Sequence, residues 1–335
     1  PDQLGSGDPT QAPAPCINLG ELAMKKSLIA LAVVAASGAA MAQSSVTLYG
    51  VADAGIGKVK YGADAKGNDA SNKVEFQSGS IITNGNSRIG VRGVEDLGGG
   101  LKAGFNFESG LDLDDGATLG SGGGFWGRAA NLWLGGGWGT VKLGRTLNPS
   151  FYGMAAWELT GAANYSVVAN TFGYSGNPTP RHNSQFSYKT PDMGGFSAEL
   201  GYIFKPDNGG NARWDVNAIY ANGPIGVGLA AHKQKGGKLG YGVGLKWSFS
   251  NFALAASYND KEKVRRGFSL GGSANFGAFT ATVDVTRDTR NQLGKKQTNG
   301  LVEGKYALSK RTFVYAAFLR LDKTNNYGLG IRHNF

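Results

Sequence analysis

The sequence predicts an all-β protein, a transmembrane antiparallel β-barrel of about 16 strands. Three observations predict it. Apolar and polar residues alternate with period two from Val46 to Phe335. Many of the apolar stripes run roughly nine to eleven residues, the span of a tilted membrane strand. Tight turns alternate with longer polar links, as in barrels with short periplasmic turns and longer outer loops.

Composition agrees. Of 335 residues, 55 are Gly and 11% are aromatic, the mix expected of many strands and tight turns. Mean hydropathy is mildly negative. Beyond the N-terminal region no apolar run reaches the roughly 18 to 20 residues of a membrane helix. The single Cys, Cys16, lies ahead of the expected start, so neither a disulfide framework nor a Cys-based metal site is expected. The formal charge is +10. Its bases are scattered over strands and links, which points to a field favouring small anions rather than to nucleic acid.

At the N-terminus, Met24, Lys25 and Lys26 open a basic region, an apolar stretch follows over 27–36, and Ala40-Met41-Ala42 supplies small residues before a cut ahead of Gln43. This is the three-part pattern of a secretory signal peptide; a short anchor helix is the alternative. Residues 1–23 are read as an upstream segment outside the protein, 24–42 as the signal peptide and 43–335 as the barrel.

The strands follow in order. Val46, Leu48 and Val51 begin the first. Ile89 and Val91 oppose Arg88 and Arg92. Leu101, Ala103, Phe105 and Phe107 alternate with Lys102, Gly104, Asn106 and Glu108. Trp214, Val216, Ala218 and Tyr220 oppose Arg213, Asp215 and Asn217. Leu239 to Phe249 is the longest stripe, and Tyr327, Leu329, Ile331, His333 and Phe335 form the last. Alternation alone leaves open which face points inward. Tight turns are expected at 96–99, 136–138, 192–195, 222–224, 250–251, Gly277 and 309–310. Longer links are expected at 61–87, 109–124, 146–183, 205–211, 234–238, 261–265, 288–296 and 322–325.

Enzyme chemistry has little support. His182, His232 and His333 lack metal-ligand spacing. His182, Asn183 and Ser184 are adjacent on a strand, so neighbours point to opposite faces and form no relay among themselves. The Gly clusters lack the Lys-Ser/Thr of a phosphate loop. The acidic run Asp112, Asp114 and Asp115 reads first as a solvated or subunit-contacting loop and second as a surface cation site. No cofactor is expected.

Several segments, in order along the chain, resemble the trimeric sixteen-stranded general porins of Gram-negative bacteria, of the neisserial and burkholderial type. They are SVTLYGV at 45–51, SRIGVRGVEDLGGGLKAGFNFESG at 87–110, WGTVKLGR at 138–145, SYKTPDMGGF at 187–196, YALSKRTFVY at 306–315 and GIRHNF at 330–335. The resemblance implies a water-filled pore for small hydrophilic solutes, narrowed by an inward-folded third outer loop, here 146–183. It implies a homotrimer among outer-membrane lipids, assembled by machinery that recognises a terminal Phe, here Phe335.

It also implies a basic wall facing that loop. Arg88, Arg128 and Arg181 match the wall. Arg88 and Arg181 have polar-face parity, whereas Arg128 shares parity with Leu132 and Leu134, a conflict unless a bulge intervenes. Glu158, the only acid between 146 and 183, is the expected counter-charge. Arg92, Lys102, Glu108, Lys142 and Arg145 are further candidate lumen charges. An acid-poor loop beside a basic wall predicts anion preference. The alternative is a structural or adhesion barrel whose loops bind a partner and which conducts little.

Overall fold

A computed structural model describes residues 45–60, 73–119, 124–205, 210–292 and 294–335. The expected upstream segment and signal peptide, 1–42, lie outside the described residues. Among the described residues, eighteen strands form one sheet. They are β1 (Ser45–Lys58), β2 (Val74–Ser78), β3 (Arg88–Gly98), β4 (Leu101–Leu111), β5 (Thr118–Leu119) and β6 (Ala129–Gly136). Next come β7 (Gly139–Leu147), β8 (Arg181–Lys189), β9 (Phe196–Ile203), β10 (Arg213–Asn222), β11 (Ile225–Gln234) and β12 (Leu239–Phe249). The last are β13 (Phe252–Lys261), β14 (Arg265–Phe276), β15 (Phe279–Asn291), β16 (Gln297–Ala307), β17 (Thr312–Leu321) and β18 (Thr324–Asn334).

β2 and β5 are short additions. The remaining strands make a closed 16-stranded antiparallel barrel. Closure occurs at β1, which pairs with β18 on one edge and with β3 and then β2 on the other. A closed sheet leaves no edge strand with unpaired amides, a condition for crossing hydrocarbon. At the seam, Gly50 and Phe335 exchange backbone hydrogen bonds of 3.0 and 3.1 Å.

Burial settles the faces that alternation left open. Leu245, Trp247, Phe249, Leu254, Val283, Leu329 and Ile331 are exposed, while Asp215, Asn217, Asn259, Thr286 and Asn299 are buried. The apolar face is therefore outside and the polar face inside, the reverse of a soluble sandwich. Aromatics cluster towards the strand ends, with Trp138 stacked on Tyr188 and Trp247 tilted against Phe249, as interfacial girdles do.

Three expected links differ, and that at 261–265 is a tight hairpin with Glu262 and Lys263 at φ 50° and 66°. Within 61–87, β2 rejoins the sheet, with Ala54 facing Ser78 while Val51 faces Arg88. Segment 79–87 is thereby left out of the ladder and lies inside, with Ile82 over Gly57 and Gly328. The link at 322–325 is a tight hairpin with Asp322 and Lys323 at φ 46° and 75°. Both central residues having positive φ is what a two-residue hairpin needs.

The stretch between β7 and β8 carries two short helices, α1 (Pro149–Ala155) and α2 (Val167–Phe172). Asn148 closes its base, donating from its amide nitrogens to the carbonyls of Pro180 (backbone, 2.9 Å) and Thr179 (side chain, 2.6 Å). α1 packs over β10 and β11, and α2 over β14 to β17. Met154, Trp157, Tyr165, Val167, Val168 and Phe172 are fully or almost fully buried and cluster with Leu301, Tyr315, Ala317, Leu319 and Leu321. The inner face of β17 is thus apolar, and so is its outer face. A strand apolar on both sides is covered on both sides, here by lipid and by the inward segment. Close approach depends on small residues: the Trp157 ring occupies the space a Cβ on Gly244 would need, and the Gly153 carbonyl that of Gly228.

Candidate functional site: a basic wall beside the inward segment

The site begins with strand parity. Even-numbered residues of β3 and β4 point inward, which places Arg88, Arg92, Asn106 and Glu108 on one surface. Glu108 is the hub. Arg128 Nε lies 2.7 Å from its Oε1 and Arg88 Nε 3.4 Å from its Oε2. The Tyr49 hydroxyl donates to Glu108 at 3.1 Å and to Asn106 at 2.9 Å. Arg92 stands over the Tyr49 ring, its Cζ 5.2 Å from the centroid, a cation–π contact.

Arg128 resolves its parity conflict without a bulge. β6 begins at Ala129, and its register with β4 runs unbroken from Glu108–Ala129 to Lys102–Gly135. Arg128 precedes the strand, so the pleat does not dictate its direction. Its backbone N–H donates to the Glu108 carbonyl at 3.1 Å and its side chain turns inward to the same residue.

Arg181 reaches the cluster from β8, donating from Nε to the Arg128 carbonyl at 2.9 Å. Among the described residues it has no carboxylate partner. The ladder between β7 and β8 shifts between Gly144 and Thr146, and Ser184 sits at φ 46°. Beyond this irregularity His182 is buried, although it lacks the parity of Gln185, and Arg181 lines the inward surface. Lys142 faces Trp133 and Ser187 across the ladders and joins the same surface. A cavity of about 190 Å³ is lined by Glu108, Arg128, Asn131, Lys142, Tyr152 and Arg181. Burial pushes the Tyr152 hydroxyl on α1 up to about 12, so it stands there as a neutral hydroxyl.

Three expected members lie elsewhere. Glu158, expected opposite the wall, is 3% exposed and turns into its own loop. It accepts from the backbone N–H of Thr160 at 2.9 Å and of Ala162 at 2.7 Å, and from the Thr160 hydroxyl. Its charged neighbours are Asp284 and Glu303 rather than the arginines. Three donors in one turn outcompete a reach across water. Arg145 shares the outward parity of Leu143 and bonds the Gly127 carbonyl and Asn183. Lys102 keeps inward parity with Asn106 but lies at the opposite end of β4, facing Asp96.

Other residues shape the site without having been singled out. Asp215 of β10 holds both ends of the inward segment. It accepts from the Ser150 N–H and hydroxyl at 2.8 and 2.7 Å, and from Asn177 Nδ2 at 2.7 Å. Segment 79–87 grips its middle: Asn164 Nδ2 donates to Asn86 at 2.6 Å and to Thr83 at 3.1 Å, and Asn84 donates to the Tyr165 hydroxyl at 2.6 Å. The parity of Asp215 was readable; its partners, over 30 residues away, were not. The unbroken apolar run 313–319 was the sequence signal for the covered inner face of β17.

A closed barrel with an apolar exterior, a polar interior and a segment folded into that interior is the architecture of an outer-membrane channel. The sequence profile of the Gram-negative porins matches residues 28–326, and the chain belongs to that family. Outer membrane porin protein 32 of Delftia acidovorans is 34% identical over 294 residues, covering 84% of this chain and 75% of that protein. An outer membrane porin protein of Bordetella pertussis is 32% identical, covering 93% of this chain and 100% of its own length. Among solved structures, the anion-selective porin from Comamonas acidovorans superposes with a TM-score of 0.71 at 26% identity, covering 88% of this chain and 100% of that one. The chain is an outer-membrane porin.

Proposed function

We propose that this porin passes small hydrophilic solutes passively, with a preference for anions set by Arg88, Arg128 and Arg181. One observation carries the reading: the guanidinium groups of Arg88 and Arg128 share a single wall carboxylate, Glu108, that of Arg181 joins them through the Arg128 carbonyl, and the acid of the facing segment is turned away. A fixed excess of positive charge in a narrow polar passage raises the local anion concentration and repels cations. Arg92, Lys102 and Lys142 extend that field along the same inward surface. The similarity to the anion-selective porin from Comamonas acidovorans supports the direction.

We further read the working unit as a homotrimer in outer-membrane lipid, exported through the signal peptide at 24–42, with Phe335 as the residue the assembly machinery reads. Family membership supports the trimer, and the pairing of Phe335 with Gly50 gives the last residue a place in barrel closure. The selectivity test is a reversal potential across a planar bilayer in a salt gradient. Anion preference that falls in an Arg88→Gln/Arg181→Gln variant is expected; cation preference of the native protein would overturn the reading.

A further inference from the structure

We infer that Arg332 is a further selectivity-determining residue of the pore, and that segment 79–87 positions it through Asn84 and Gly85. The inference rests on the anion preference proposed above and extends it to the closing strand.

Arg332 lies on the inward parity of β18, facing Asp53 of β1 across the ladder. Its side chain keeps 18% of its surface exposed. Nη1 donates to Asn84 Oδ1 at 2.8 Å and Nε to Asn334 Oδ1 at 3.2 Å. Asp53 is the nearest carboxylate, at 3.8 Å, yet its oxygens are engaged by closer donors. The Tyr315 hydroxyl binds Oδ1 at 2.6 Å and the Gly85 N–H binds Oδ2 at 2.7 Å. The guanidinium is thus held mainly by neutral carbonyl oxygens. A neutral acceptor orients a cation without cancelling its charge, whereas a bidentate carboxylate does both. Arg265 shows the contrast: both its terminal nitrogens meet Asp322.

The seat depends on a missing side chain. A Cβ on Gly85 would fall 2.6 Å from Arg332 Nη1, inside van der Waals contact, so any other residue there would displace the guanidinium. The same segment orients the neighbouring arginine: Arg88 Nη1 donates to the Asn86 carbonyl at 3.1 Å. Arg88 and Arg332 lie close enough to act on each other's charge. Segment 79–87 therefore sets an acceptor against each of two like charges. It continues the basic row from β3, β6 and β8 round to β18.

The experiment uses the full-length porin reconstituted in planar bilayers, with reversal potentials in a potassium chloride gradient. Arg332→Gln is expected to lower the anion-to-cation permeability ratio about twofold, and Arg332→Lys to retain most of it. Gly85→Ala, which leaves the charge count unchanged, is expected to alter the ratio in the native background and to have no further effect in Arg332→Gln, the signature of coupled residues. A merely structural role for Gly85 would give the same change in both backgrounds and would overturn the positioning. If Arg88→Gln/Arg181→Gln lowers the ratio while Arg332→Gln and Arg332→Lys both leave it at the native value, this inference fails and the proposed function stands. A native channel without anion preference overturns the proposed function itself. Should Arg332→Gln fail to form barrels, Arg332→Lys with Gly85→Ala decides: an unchanged ratio in both single variants overturns the inference.

Discussion

Arg128 donates to Glu108 at 2.7 Å although it stands ahead of its strand, on the parity of the lipid-facing Leu132. This pairing makes Glu108 the acid that tempers Arg88 and Arg128. Replacing it with Gln removes a negative charge from beside Arg88 and Arg128 and leaves both cations in place. Glu108→Gln is expected to raise the anion-to-cation permeability ratio roughly twofold, with the larger effect at low salt because screening is weaker there. Reversal potentials at two salt concentrations check it; an unchanged ratio would place the wall outside the conducting path.

Asp215 ties Ser150 to Asn177, the two ends of the inward segment. Asp215→Ala leaves the Ser150 and Asn177 donors unpaired in a buried place, at a cost of about 1–3 kcal/mol each. More frequent closing events in single-channel records are expected, together with faster proteolytic cleavage within 148–180. Asp215→Asn, which keeps one acceptor oxygen, is expected to fall between native and Ala.

Trp157 is 1% exposed and fills the space over Gly244. Trp157→Ala opens a cavity between the segment and the wall, a loss of about 3–5 kcal/mol for a fully buried aromatic. The barrel ladders do not depend on it. Raised single-channel conductance with normal heat-modifiable mobility of the folded barrel is the expected result.

Phe335 and Gly50 close the seam with two backbone bonds, and the Phe335 ring lies over Gly50. Gly50→Val forces a branched side chain into the space of that ring. Fewer folded barrels are expected from refolding into detergent, read as the heat-modifiable fraction. An undiminished yield would show that the ring can move aside.

Glu262, on the hairpin between β13 and β14, has its carboxyl held below the ordinary 4.5, chiefly by the hydrogen bond from His232 and further by the Arg213 charge, against burial that acts the other way. A lowered pKa in the folded state means the carboxylate contributes stability that is complete above the ordinary value and is lost as pH falls through the folded one. Thermal unfolding of native protein and Glu262→Gln is expected to differ near neutrality and to converge below pH 4.5.

The sequence by itself determined the barrel. Period-two alternation is a property of the pleated backbone, so the stripes from Val46 to Phe335 are local statements, and tight turns such as 309–310 need only their own residues. The inward parity of Arg88, Arg92 and Lys142 was legible for the same reason. Tertiary structure decided what local pattern does not contain. Arg128 lies outside a strand, so only its neighbour Glu108 directs it. Glu158 found donors within its own turn. The irregularity at Ser184 put His182, which lacks the inward parity of Gln185, among the buried residues. Segment 79–87 left the ladder, and Asn84 met Arg332 across 248 positions of chain. Such pairings exist only once β18 closes on β1, because closure alone brings the two ends of the chain to one wall.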